Sequence, residues 1–265
     1  MLFEDVLTKM ETEFETPVHY FLTGGSGRLD MNALIGRTLS IKFKGYRCLS
    51  CGSSKKIFRQ GYCYDCFYQQ PDVGDWVMRP ELSTAHLDIE DRDLAYEKEV
   101  QLKPHIVYLA LSSNAKVGVT RKTQIPTRWI DQGASAALEI VEAPNRYLAG
   151  ITEVALKRHV ADKTNWRRML RNEISATDLY KLREELKAYI PEEVRAYFLE
   201  GKKEITRIEY PVMAYPEKVV SLNLSKTPSF SAKLNGIKGQ YLIFENNIVF
   251  NIRSNEGTVV ELKAD

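Results

Sequence analysis

Four cysteines carry the clearest chemical signal in this sequence. They form two C-x2-C pairs separated by eleven residues, and the chain contains no other cysteine. Two thiolates separated by two residues can bind one metal ion from a single turn, and two such turns complete the tetrahedron that Zn²⁺ prefers. Because four protein ligands leave no open position for a substrate, the spacing predicts a structural zinc site. The predicted ligands are Cys48, Cys51, Cys63 and Cys66.

Length and composition are those of an ordinary soluble globular protein. The 265 residues, 44% hydrophobic and 27% charged, can bury one large or two small cores without help from a metal. No apolar run approaches the length of a membrane span, and the acidic start MLFEDVLTKMETEFETP lacks the basic flank of a signal peptide. We therefore expect a cytoplasmic protein with no membrane partner. Disulfides are disfavoured there, which leaves four unrelated buried thiols as the alternative to zinc.

A second group of side chains, between residues 105 and 171, could form one site. Each of them alone has an ordinary explanation. Aromatic residues are common in strands, isolated arginines are usual on surface helices, and a glutamate pairs readily with a lysine four residues later. The residues are Tyr108, Lys116, Arg128, Glu153 and Asn165.

In this order and spacing, the segment resembles the GIY-YIG nuclease superfamily. Ile106–Tyr108 matches the first strand motif, and Lys116–Thr120 (KVGVT) matches the second, x-I-G-x-[ST]. The stretch TEVALKRHVADKTNW is similar to the glutamate-to-asparagine segment of excision-repair nucleases. Two positions depart from the pattern: the first motif lacks its opening glycine, and Lys116 stands where the family usually has a tyrosine. The whole chain also looks like a bacterial family of unknown function that joins such a unit to a four-cysteine module.

The resemblance implies a Mg²⁺-dependent endonuclease that hydrolyses phosphodiester bonds in DNA or RNA. Glu153 would hold the Mg²⁺, which stabilises the leaving oxygen as a Lewis acid. Arg128 would bind the phosphate with its guanidinium. Tyr108 would orient or deprotonate the attacking water, with Lys116 either lowering its pKa or serving in its place. Asn165 would fix the geometry by hydrogen bonding, and no small-molecule substrate is evident.

A basic segment follows the predicted glutamate, although the whole chain has a net charge of only +2. We expect it to contact phosphates, with a tryptophan available to stack on bases; the alternative is a solvated helix face and loop. The residues are Lys157, Arg158, Lys163, Trp166, Arg167, Arg168 and Arg171. His105, beside the first motif, is a further candidate proton carrier.

Aromatic residues also surround the second cysteine pair. We expect them to pack against the metal site, and the alternative is a stacking surface for single-stranded nucleic acid. They are Tyr62, Tyr64, Phe67 and Tyr68.

These residues require a mixed α+β framework. Alternating apolar residues predict strands near both ends of the chain, which would pair into one β-rich part, while residues 1–16 suggest a short helix. A small three-stranded sheet with flanking helices would carry the GIY-YIG-like motifs. The expected divisions are an N-terminal β segment (1–45), the four-cysteine zinc module (46–70), a connector (71–103), the GIY-YIG-like core (104–172), a helical segment (173–204) and a C-terminal β segment (205–265).

Two other functions fit the same residues. One is a non-catalytic nucleic-acid-binding zinc protein that retains the fold, and the other is a protein-interaction adaptor that docks through the cysteine module. The nuclease gains support if the phenol, ammonium, guanidinium and carboxylate line one cleft. The adaptor gains support if the cleft and a continuous basic patch are both absent and an apolar surface beside the cysteines is exposed.

Overall fold

Helices and strands are both present along the chain, which confirms the α+β class. The computed structural model describes residues 2–25, 27–160 and 165–265, so Lys163 lies outside the described residues. The strands are β1 (Phe3–Val6), β2 (Glu11–Glu13), β3 (His19–Gly24), β4 (Gly27–Asp30), β5 (Thr38–Tyr46), β6 (Ile57–Arg59), β7 (Tyr62–Cys63), β8 (His105–Leu111), β9 (Ala115–Arg121), β10 (Ala136–Ala143), β11 (Thr206–Arg207), β12 (Val220–Ser221), β13 (Ser229–Lys238), β14 (Tyr241–Phe244), β15 (Ile248–Asn251) and β16 (Thr258–Ala264). The helices are α1 (Tyr64–Phe67), α2 (Asp75–Met78), α3 (Leu94–Gln101), α4 (Thr127–Asp131), α5 (Arg146–Lys157), α6 (Trp166–Leu170) and α7 (Leu179–Leu186). In the part of the chain that is described, none of the helices has the length and apolar character needed to cross a membrane.

The largest sheet joins the two ends of the chain. Its seven strands lie in the order β1-β16-β5-β13-β14-β15-β12, so strands from the first and last segments alternate over the first four positions, and the rest come from the last segment. The helix expected within residues 1–16 is wrong, because this stretch holds β1 and β2. Phe3 pairs with Leu262 across the sheet, and both side chains are buried. An extended edge strand therefore buries the apolar residues that the short helix would have carried.

A smaller antiparallel sheet carries the GIY-YIG-like motifs. Its order is β11-β10-β8-β9, which adds the two-residue strand Thr206–Arg207 to the three strands expected. Every residue of β8 is buried, because the strand lies between two cores. Ile106, Tyr108 and Ala110 belong to the core shared with the large sheet. The residues between them pack in a second core with α5 and α7.

The connector covers the polar face of α5. A Cβ atom on Gly150 would lie 2.2 Å from the backbone nitrogen of Glu81 and 2.4 Å from the carbonyl carbon of Pro80. One turn earlier in α5, the guanidinium of Arg146 donates hydrogen bonds to the carbonyl oxygens of Trp76 (3.1 Å) and Val77 (2.8 Å). The glycine in this helix thus allows a close backbone approach, and the connector forms a wall beside the helix.

Candidate functional site

A cleft of about 550 Å³ opens beside the small sheet. Tyr108 reaches it from β8, Lys116 from β9, Arg128 from α4 and Glu153 from α5. The connector forms another wall through residues that include Trp76 and its neighbours. The structure therefore brings together four of the five residues that the sequence predicted for the chemistry.

Tyr108 lies deepest in this group. It is 0% exposed, its ring makes an edge contact with Trp129 at 5.8 Å, and its hydroxyl donates a hydrogen bond to Oε1 of Gln132 at 3.2 Å. Burial raises the pKa of Tyr108, with a contribution from the negative charge of Glu153. The phenol therefore keeps its proton near neutral pH and acts as a hydrogen-bond donor.

The pKa of Lys116 is shifted in the opposite direction, toward neutral pH. Burial, together with the nearby positive charge of Arg128 and against the opposing charge of Glu153, lowers the pKa of its ammonium to about 8. An amine with this pKa is partly neutral near pH 8 and can accept a proton. Of these two side chains, Lys116 is the one that can accept a proton near pH 8.

Glu153 is buried and forms an ion pair within α5. Its Oε1 lies 3.2 Å from Nζ of Lys157, so the i,i+4 pair considered from the sequence is present. Burial raises the pKa of Glu153, and Lys157 opposes this. The carboxylate also lines the cleft. Mg²⁺ is commonly held by one or two carboxylates together with waters and substrate phosphates, so a carboxylate that lines the cleft fits that ion.

Arg128 is half-buried and has an unsatisfied donor. Its Nε is buried and has no hydrogen-bond partner among the described residues. The indole Nε1 of Trp76, another residue of the cleft, is likewise buried and has no hydrogen-bond partner among the described residues. A buried donor without a partner costs about 1–3 kcal/mol. The two residues that carry these unsatisfied donors both line the cleft.

Basic side chains outnumber acidic ones along the cleft. Lys9 and Arg253 come from the two terminal segments, and both lie near the carboxylate of Asp131, at 2.6 Å and 3.7 Å. The excess of positive charge attracts an anion such as a phosphodiester. The basic lining residues are Lys9, Lys116, Arg121, Arg128, Arg146 and Arg253, and the acidic ones are Asp72, Asp131 and Glu153.

Sequence reasoning missed several of these residues. Lys9 and Arg253 each lie more than a hundred residues from Arg128, and no local pattern relates them to it. Gln132 carried a weak signal, because it lies one helical turn after Arg128 and hence on the same side of the helix. Its side-chain oxygen Oε1 accepts the hydrogen bond from the Tyr108 hydroxyl.

Asn165 does not line the cleft. Its Oδ1 accepts a hydrogen bond from the backbone nitrogen of Arg168 at 3.2 Å, so it is the N-cap of α6. Its own backbone nitrogen donates to the Ser113 hydroxyl at 3.3 Å. In this structure Asn165 therefore marks the start of a helix.

The basic segment is only partly free to bind phosphate. Arg168 and Arg171 both pair with Glu173, at 3.3 Å and 3.0 Å. The ring of Trp166 stacks on Tyr241 with centroids 5.8 Å apart and planes 6° from parallel. Arg158 and Arg167 are exposed, and Lys157 holds Glu153. One face of the tryptophan is therefore already occupied by a protein ring.

His105 lies outside the set of residues that line the cleft. It is 0% exposed, and its Nδ1 lies 2.7 Å from the carbonyl oxygen of Lys103. Burial lowers the pKa of this histidine to about 4, so it is neutral at physiological pH.

The four cysteines form a compact cluster. Their sulfur atoms all lie within 4.8 Å of one another, and those of Cys51 and Cys63 are 3.9 Å apart. A tetrahedral zinc with bonds of about 2.3 Å requires sulfur separations of about 3.8 Å. Hydrogen bonds from the hydroxyl and backbone of Ser53 lower the pKa of Cys51 to about 6, which favours the thiolate. The cluster can hold a metal ion such as zinc.

The turns between the ligands explain their convergence. Gly52 follows the first pair with φ of +69°, and Gly61 precedes the second with φ of +80°, a region that glycine adopts readily. The backbone nitrogen of Cys63 donates to the sulfur of Cys48 at 3.3 Å.

Comparison with known proteins identifies the family. Residues 36–260 match the family described as "Protein of unknown function (DUF2797)", and the chain belongs to it. Searches of the curated proteins and of the solved structures found no significant match. The matched region includes the cysteine cluster and nearly all of the cleft. The prediction of a family of unknown function that carries a four-cysteine module is therefore confirmed.

Proposed function

We propose that this DUF2797 protein is a Mg²⁺-dependent endonuclease of the GIY-YIG type, with a structural zinc at its cysteine cluster. The supporting observation is that Tyr108, Lys116, Arg128 and Glu153, which come from four different elements, line one basic cleft. Its excess of positive charge and its unsatisfied donors suit a polyanionic substrate.

Glu153 is the residue that would hold Mg²⁺. Bound there, the ion would supply Lewis-acid stabilisation of the leaving oxygen. Glu153 would then exchange its contact with Lys157 for the ion.

Arg128 and Lys116 supply the remaining chemistry. The guanidinium of Arg128 would bind the phosphate oxygens and thereby satisfy its buried Nε. The neutral amine of Lys116 would take the proton from the attacking water. Tyr108, whose hydroxyl already donates to Gln132, is a positioning residue whose ring supports the floor of the cleft.

Zinc at the cysteine cluster would stabilise the module without taking part in the reaction. All four metal positions would be filled by Cys48, Cys51, Cys63 and Cys66, so no site remains for water or substrate.

A non-catalytic nucleic-acid-binding protein is the second candidate. Two observations favour it: the carboxylate of Glu153 is paired with Lys157, and Asn165 serves as a helix cap away from the cleft. Such a protein would keep the basic cleft and its affinity for phosphates but would not cleave.

Cleavage assays separate the two candidates. Branched, single-stranded and duplex DNA and RNA are incubated with the protein in Mg²⁺, in Ca²⁺ and without divalent ions. We expect Mg²⁺-dependent cleavage that falls by about 10²-fold or more in Glu153→Gln. The matched control is Glu142→Gln, which removes a carboxylate that pairs with Lys122 at 2.7 Å and does not line the cleft.

The absence of cleavage on every substrate would contradict the enzyme. A salt-sensitive affinity that weakens in Arg128→Ala would then support the binder.

A further inference from the structure

Four aromatic side chains form a cluster on the surface of the cysteine module. Phe58 comes from β6, Tyr64 and Phe67 from α1, and Tyr68 follows that helix. Phe58 lies within contact distance of all three others, with ring centroids 5.2, 5.2 and 6.1 Å away. Tyr64 and Tyr68 contact each other at 5.0 Å. We call these four residues the aromatic surface.

Packing on the metal site does not account for the aromatic surface. The buried interior of the module consists of three cysteines, with Ile57 and Tyr62 packed against it. Tyr64 is 60% exposed, Tyr68 54% and Phe58 40%. The sequence-based expectation that these rings pack on the cysteine site thus holds for Tyr62 but not for the exposed rings. Contiguous exposed aromatic residues on a soluble protein indicate a binding surface.

The rings are also preordered for stacking. Their mutual contacts are mostly edge-to-face, with interplanar angles of 72°, 75° and 87° for three of the pairs. Such contacts fix rings relative to one another before any ligand arrives. A preordered aromatic side chain with a free face can stack on a nucleobase of any type, since every base has a π-face.

The charge around the aromatic surface selects the type of partner. The module carries Arg47, Lys55, Lys56 and Arg59. Arg47 pairs with Asp5 and Lys55 with Asp65, which leaves Lys56 and Arg59 without an ion pair among the described residues. The Arg59 guanidinium lies 5.3 Å from the ring centroid of Phe58, and Lys56 is exposed. Exposed rings interleaved with cations match the alternating bases and phosphates of a single strand. A duplex, whose bases are stacked inside, offers these rings no partner.

The module is fixed to the wall of the cleft. The Tyr62 hydroxyl donates to Oδ2 of Asp72 at 2.8 Å, and Asp72 lines the cleft. Arg92 of the connector donates to the carbonyl oxygens of Phe67 and Gln70 at 2.9 Å and 2.7 Å. The aromatic surface therefore has a set position relative to the cleft.

We infer that the aromatic surface binds a single-stranded segment of nucleic acid by base stacking. The inference rests on the proposed function only in that the ligand is nucleic acid, and it requires no cleavage. Binding at this surface holds an unpaired segment next to the cleft and makes substrates that contain such a segment the preferred ones.

Binding assays with labelled oligo(dT), oligo(U) and a duplex test this surface. They use the Glu153→Gln background, without Mg²⁺, so that cleavage does not interfere. The variants are Tyr64→Ala/Tyr68→Ala, Tyr64→Leu/Tyr68→Leu and Tyr64→Phe/Tyr68→Phe, and the control is Tyr197→Ala, which removes a ring that is 38% exposed in a different segment. The metal content of each variant reports whether the module is intact.

We expect the Ala and Leu pairs to weaken single-strand affinity about tenfold or more, and the Phe pair and the Tyr197 control to bind as the background does. If the Ala pair loses its metal, the Leu pair decides, because it keeps the apolar packing and removes only the aromatic faces.

Unchanged affinity in the Leu pair would overturn base stacking and favour a protein partner for this surface. Equal losses for duplex and single strand, or a background protein that binds no single strand, would also overturn it. If the protein cleaves duplexes and the Leu pair changes neither cleavage nor single-strand affinity, the nuclease proposal stands and binding at the aromatic surface is rejected.

Discussion

Tyr108 and Gly118 lie directly opposite each other in the β8–β9 hairpin, and a Cβ atom on Gly118 would lie 2.7 Å from the Tyr108 hydroxyl oxygen. No ordinary Cβ contact is that short, so the phenol lies across the glycine and can reach Gln132 only because this position has no side chain. The tyrosine of the first motif and the glycine of the second are thus one packing unit.

Gly118→Ala is therefore expected to displace the Tyr108 ring. Because this ring is fully buried in the core shared with the large sheet, the displacement should cost about 1–3 kcal/mol of unfolding free energy, as overpacking does. Urea unfolding measures it. Gly201→Ala is the control, since a Cβ there meets no atom within 4 Å. Wild-type stability in Gly118→Ala would contradict this account.

Gly150→Ala is expected to destabilise the protein, although alanine usually stabilises a helix relative to glycine. Helix propensity alone predicts a gain of about 1 kcal/mol for alanine within a helix such as α5. The backbone of Glu81, 2.2 Å from the new Cβ, cannot move aside like a flexible side chain. We expect a lower Tm and faster hydrogen exchange in residues 71–103. A raised Tm would mean that the connector does not pack against this helix.

The rate of cleavage should depend on the protonation of Lys116. Its ammonium has a pKa of about 8 and must lose its proton to act as a base, so kcat/KM should rise as the pH increases from 7 to 9. Lys116→Arg should abolish this rise together with most activity, because arginine stays protonated. In Lys116→Tyr the rise should move to higher pH, since a phenol has an ordinary pKa of about 10. A flat profile in the wild-type protein would exclude Lys116 as the base.

The cysteine cluster should lose its metal when one ligand is removed. In Cys63→Ala the zinc content should fall well below one equivalent per chain, and proteolysis should be faster within residues 46–70, because ligand binding is coupled to local folding. Ser53→Ala removes only the hydrogen bond to Cys51 and should keep one equivalent. One equivalent retained in Cys63→Ala would show that the cluster does not bind metal in the way we propose.

Local patterns in the sequence predicted much of the fold. The three strands of the small sheet and the strands near both ends of the chain appear where the apolar pattern indicated them. The pattern failed at residues 1–16, where the partner of β1 lies about 250 residues away, at Thr258–Ala264. A short segment with few apolar residues takes its conformation from such a partner.

The sequence by itself determined which residues lie within reach along the chain. Both cysteine pairs, the Tyr108–Gly118 hairpin and the Glu153–Lys157 helix face follow from spacing, because turns and helices have set geometry. Only the tertiary structure decided which distant groups meet. The connector closes over Gly150, the terminal segments bring Lys9 and Arg253 to the cleft, and Asn165 turns away to cap a helix. Those contacts depend on how two cores pack around one buried sheet, and no local spacing encodes that packing.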